Sequence, residues 1–208
     1  MSEPSLQHAG INLGGTENHP DAYAESGIFG FWVFLMSDAV IFALLFAVYG
    51  TALAATAGGP TPASEFKLDA ALAETLLLLT SSLTIGLTVL AMKYDRTRRP
   101  VLAWMGVTLL LGVTFLAMEG HDFATMFAHG AYPTRSAFLS AFFALVPLHG
   151  IHVLAGCVWM LVAAAQILAY GFDARVRINI LRLSLFWHFL DVIWVAILSV
   201  VYLQAHLP

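Results

Sequence analysis

Near the end of the chain an apolar run carries Trp187, His188, Asp191 and Trp194. His188 and Asp191 are three residues apart, so a helix sets them on one face. Trp187, Asp191 and Trp194 share a face by i, i+4, i+7 spacing. Other ionisable groups sit in or at the ends of apolar runs: Asp38, Glu74, Glu119, Asp122, His149 and His152. Such residues are costly in a membrane, so they must face protein, water or a partner, and they point to function. For Asp38 the two readings are a helix-packing carboxylate and a proton-handling group. For His149 and His152 they are interhelical hydrogen bonding and metal or haem ligation. Transition-metal sites usually have three or four protein ligands, and no second helix offers a matching set. For His188 and Asp191 the plain reading is a bundle-internal pair. Glu119 and Asp122 also suit the outer end of a span.

Composition decides what must hold these groups. The 208 residues are 60% hydrophobic and 11% charged, with a mean hydropathy of +0.82. A soluble domain has about 25% charged residues, so the chain reads as an all-α integral membrane protein. A net charge of −4 argues against nucleic acid as a partner. The single cysteine, Cys157, excludes an intrachain disulfide and any cysteine-pair metal motif.

Five apolar segments are long enough to span a membrane, which takes about 20 residues. They cover about 27–54, 69–92, 101–127, 136–170 and 178–205. Lipid leaves only helices and closed barrels, and the alternation a barrel needs is absent. The expected fold is a bundle of five transmembrane helices over 27–205. Residues 1–26 form an acidic arm without Lys or Arg. They lack the basic start and short apolar stretch of a secretory signal, so no cleavage is expected.

Seven of the nine Lys and Arg lie in two alternate links: Lys93, Arg96, Arg98 and Arg99 in one, Arg175, Arg177 and Arg182 in the other. Basic links stay cytoplasmic. This predicts a cytoplasmic N-terminal arm and an outward C-terminus. At about 1.5 Å per residue, Asp38 lies roughly 16 Å in from the cytoplasmic end of its span and His149 roughly 20 Å in from the outer end. In a core of about 30 Å the two are expected to meet, as neutral acid and imidazole or as carboxylate and imidazolium. Pro147, two residues before His149, removes a helix hydrogen bond and is expected to kink its span. Gly150, Ala155 and Gly156 permit close helix approach. Trp32, Trp104 and Trp187 are expected in the interfacial aromatic belt.

Three motifs carry a resemblance. Trp187-His188-Phe189-Leu190-Asp191-Val192-Ile193-Trp194 resembles the WHFxDVxW signature of subunit III of haem–copper oxidases. His149-Gly150-Ile151-His152-Val153 is similar to that family's HGxHV signature, and Ser37-Asp38 to its buried acid, where many members have Glu. Five spans, the Gly58-Gly59-Pro60-Thr61 turn and the stretch from Arg135 to Phe143 resemble the quinol-oxidase branch, of the cytochrome o (bo3) type. The resemblance covers about residues 24 to 205.

It implies a non-catalytic accessory subunit of a proton-pumping terminal ubiquinol oxidase in a bacterial inner membrane. The haems and copper would belong to subunit I, with subunits II and IV as further partners. Phospholipid would be held in a cleft between the first two helices and the last three. Subunit III would support assembly and proton uptake by subunit I. The Asp in place of Glu shortens any proton relay by one methylene. Two other classes remain open from the residues themselves. One is a small membrane cytochrome using His149 or His152 with His188. The other is a proton-coupled transporter built on Asp38, which would call for paired, interrupted helices in corresponding halves.

Overall fold

The computed structural model describes residues 20–58, 68–94 and 97–206, with side chains placed between 27 and 205 in these stretches. The Gly58–Thr61 turn from Gly59 onward, Lys67, Arg96 and the arm up to His19 lie outside the described residues.

Among the described residues five long helices build the fold: α1 (Pro20–Ala52), α2 (Leu68–Tyr94), α3 (Arg98–Ala128), α4 (Ala137–Tyr170) and α5 (Ala174–Ile197). α5 runs on through a wider π-helical turn, Leu198–Leu203, in which the Gln204 N–H reaches back to the Ser199 carbonyl. All five are long and apolar enough to cross a membrane, as the hydropathy predicts. α1 starts inside the segment expected as an arm, at Pro20, whose fixed φ and missing N–H suit the first helical position. α5 starts at Ala174, ahead of the expected 178, because the Asp173 side chain accepts from the Ala174 N–H at 2.8 Å. Ser136 caps α4 in the same way, accepting from the Leu139 N–H at 3.2 Å.

α2, α3, α4 and α5 pack in a ring, and α1 lies outside it across α4 and α5. The first two helices therefore do not pair, and the packing sets off α1 alone, unlike the two-against-three division implied by the resemblance. α4 continues through Pro147 to its end, where Gly171 takes a left-handed φ of 76° and its N–H bonds the Ile167 carbonyl at 3.0 Å. Arg98, at the start of α3, donates to the Leu168 carbonyl at 3.2 Å. That bond brings the two basic links to the same end of the bundle.

The core is built around two tryptophans. Trp187 and Trp194 are almost wholly buried. Trp187 Nε1 donates to Ser81 Oγ at 2.9 Å and Trp194 Nε1 to Thr75 Oγ1 at 3.1 Å, so α5 is fastened twice to α2. Trp187 is thus not an interfacial residue, as its position near a span end had suggested. Its ring lies between Gly112 of α3 and Gly156 of α4. A Cβ at either glycine would fall 2.8 or 2.9 Å from a ring carbon.

Candidate functional site: polar groups inside the bundle

The expected meeting of Asp38 with His149 does not occur. Asp38 Oδ2 lies 3.3 Å from Nε2 of His152. The two side chains differ by only about 60° in direction around α4, and that offset is enough to turn His152 to α1 and His149 to the Leu190 carbonyl of α5. Phe42, one turn beyond Asp38, packs edge-on against the His152 ring at 5.4 Å.

The His152 ring is fixed from the other side. Its Nδ1 lies 2.7 Å from the Leu148 carbonyl oxygen. A carbonyl can only accept, so Nδ1 carries hydrogen and Nε2 is left to face the carboxyl group. A hydrogen bond across this contact would use a proton on either the carboxyl group or Nε2. The contact thus sets a carboxyl oxygen against a ring nitrogen between α1 and α4.

His149 is fully buried. Its Nε2 donates to the Leu190 carbonyl at 3.3 Å, and its ring is packed by Phe115 and Trp194, with centroids at 5.8 and 5.2 Å. It ties α4 to α5. Because His149 and His152 face different helices, they do not form a shared ligand pair.

His188 and Asp191 share the expected side of α5, with Nδ1 and Oδ2 4.0 Å apart. Asp191 is buried, whereas the His188 side chain is 46% exposed. Ser82 of α2 lies 2.7 Å from His188 Nδ1.

Glu74 of α2 and Glu119 of α3 are both buried. They lie within electrostatic reach of each other and of Asp122. The Glu119 carboxyl packs over Gly150, where a Cβ would stand 2.8 Å from Oε2. Among the described residues, no cluster of three or more His, Cys, Asp or Glu is arranged to hold a metal.

Sequence reasoning passed over the hydroxyls of α2. Thr75, Ser81, Thr84 and Thr88 are buried, and Thr84 and Thr108 join α2 to α3 with oxygens 2.7 Å apart. Their three- and four-residue steps from Ser81 to Thr88 were the available signal. Also unanticipated is a cavity of about 690 Å³ at the basic end, lined by Gln166, Tyr170, Asp173, Arg175, Asn179 and Arg182 among others. Trp159 Nε1 donates to Asn179 Oδ1, and Asn179 Nδ2 to Gln166 Oε1, each at 2.8 Å.

A family model described as cytochrome c oxidase subunit III matches residues 12–206. The chain belongs to that family. It is 46% identical over 192 residues to a cytochrome bo(3) ubiquinol oxidase subunit 3 of Pseudomonas aeruginosa, covering 91% of each chain. It is 47% identical over 176 residues to that of Pseudomonas putida, covering 85% of this chain and 84% of the other. A cytochrome c oxidase subunit 3 of Bacillus sp. PS3 is 41% identical over 175 residues, with 84% of each chain covered. Subunit III is the non-catalytic accessory subunit of haem–copper oxidases, so this chain is part of an oxidoreductase complex and no enzyme by itself. The cytochrome and transporter alternatives are set aside on this ground.

Proposed function

We propose that this chain is the accessory subunit of a proton-pumping, ubiquinol-oxidising terminal oxidase in a bacterial inner membrane. The observation that carries the reading is the identity, across most of the chain, to relatives named cytochrome bo(3) ubiquinol oxidase subunit 3. In this reading subunit I holds the haems and copper and is the main neighbour, with subunits II and IV completing the complex. The N-terminus is cytoplasmic and the C-terminus periplasmic, as the positive-inside rule requires of the two basic links.

The chain's own part is structural and protonic. The Trp187, Trp194 and His149 contacts make a stiff bundle. Asp38 and His152 hold one proton near mid-membrane and exchange it with the uptake path of subunit I. At the basic end, Arg175 and Arg182 with Asn179 receive the phosphate of a phospholipid headgroup. Arg182 Nε is buried without a hydrogen-bond partner, and a phosphate oxygen would satisfy it.

The test is a pull-down of the tagged full chain from detergent-solubilised membranes. A co-purifying haem protein with ubiquinol oxidase activity is the expected result. Recovery of the chain without a haem-bearing partner would overturn the reading. Recovery with an oxidase that accepts cytochrome c and not quinol would overturn its substrate.

A further inference from the structure

We infer that the open groove on the outer face of α5, between α1 and α2, is the seat of a transmembrane helix from another oxidase subunit. That helix carries a hydrogen-bonding side chain at mid-depth, opposite His188. The inference rests on the proposed oxidase complex and names the surface through which the chain joins it.

The groove follows from the packing. α1 and α2 both lie against α5 but do not pack extensively on each other. Between them α5 presents His188, Val192, Val195 and Ser199, all exposed. Their steps of four, three and four residues make one continuous stripe. Leu79 and Leu83 of α2 are also exposed beside Ser82. The surface is apolar with a polar centre.

Depth makes that centre informative. His188 is fourteen residues past Ala174 and Ser82 fourteen past Leu68, so each lies about 21 Å along its helix, from opposite sides of the membrane. Both fall near the middle of a hydrocarbon core of about 30 Å. Ser82 engages Nδ1 of His188, and no described residue engages Nε2. Whichever tautomer holds, Nε2 is an N–H donor or a lone pair with no partner. Acyl chains offer no hydrogen bond there, and headgroups do not reach mid-depth. A second helix with Ser, Thr, Asn, Gln or an ionisable residue at that level satisfies it, by the interhelical bonding common in membrane bundles. The apolar residues around His188 then exclude lipid from the contact. Phospholipid filling and a second copy of this chain are the competing occupants.

The assembled complex provides the test. A photo-crosslinking amino acid is placed at Val192, in the groove, and at Val158, an exposed position on α4. The expected result is a crosslink from position 192 to a different oxidase subunit. Crosslinks from 192 confined to lipid or to a second copy overturn the inference. In parallel, His188→Leu is expected to lower partner retention in detergent about threefold, the size of one interhelical hydrogen bond in a membrane, while His188→Gln retains the partner. Wild-type retention in the Leu variant overturns the role of His188. Wild-type co-purification with a haem-bearing subunit separates the outcomes. Its absence removes the oxidase reading itself, whereas its presence without a 192 crosslink removes only the groove assignment.

Discussion

Asp38 of α1 and His152 of α4 meet at 3.3 Å, while His149, on the same helix, turns away to the Leu190 carbonyl. One histidine can share a proton with a carboxyl group, and the other fastens two helices. Asp38→Asn separates these roles. The Asn amide can donate to Nε2 of a neutral His152 whose Nδ1 still serves Leu148. The contact then survives without its exchangeable proton. We expect normal assembly with reduced proton uptake or a shorter turnover lifetime. Turnover, pumping and lifetime equal to wild type would remove the protonic role. Failure of assembly, restored by Asp38→Glu, would make the contact structural.

The glycines around Trp187 make a steric prediction. Gly156→Ala or Gly112→Ala drives a methyl into the indole, and such overpacking typically costs about 1–3 kcal/mol. Gly86→Ala is the control, since nothing stands within 4 Å of its Cβ position. Thermal melting of the purified complex should fall for the first two variants and hold or rise slightly for the third. Equal melting of Gly156→Ala and Gly86→Ala would show that the sandwich does not constrain packing.

The five-helix fold was legible because long apolar runs have few other solutions in lipid. The identity was legible in three short motifs. Side-chain partners were harder to read. Depth estimates placed Asp38 and His149 at one level, but level says nothing about azimuth, and three residues of helix decide between His149 and His152. Trp187 looked interfacial from its place in the sequence, yet it is buried because Ser81 lies within reach of its N–H. The start of α1 was missed because the acidic residues before Gly27 suggest a soluble arm, and helical propensity tolerates them.

The two tryptophan hydrogen bonds differ from the tryptophan packing in size. Trp194→Phe removes the bond to Thr75 and keeps most of the ring. We expect a loss of about 0.6 kcal/mol, the average for interhelical bonds in membranes. Thr75 stays satisfied as a donor through the Ala71 carbonyl at 2.7 Å. Trp194→Ala also opens a cavity beside Phe115 and His149, and losses of about 3–5 kcal/mol are typical of such truncations. Denaturant titration of the complex with both variants and with Thr75→Val checks the bond. Equal effects of Trp194→Phe with and without Thr75→Val would indicate no coupling.

Orientation is open to a direct test. Arg98 donates to the Leu168 carbonyl, so the α2–α3 and α4–α5 links share one end of the bundle whichever way it is inserted. The excess of Lys and Arg assigns that end to the cytoplasm. The native Cys157 is buried, which keeps the background low for an impermeant thiol label applied to intact spheroplasts. Thr97→Cys lies in the first basic link and should resist the label until the membrane is permeabilised. Thr134→Cys lies in the short 3₁₀ turn Pro133–Arg135 at the other end and should react at once. The reverse pattern would put the N-terminus outside. It would also move the arginine-lined cavity to the periplasmic leaflet, so the same experiment decides which leaflet supplies the proposed headgroup.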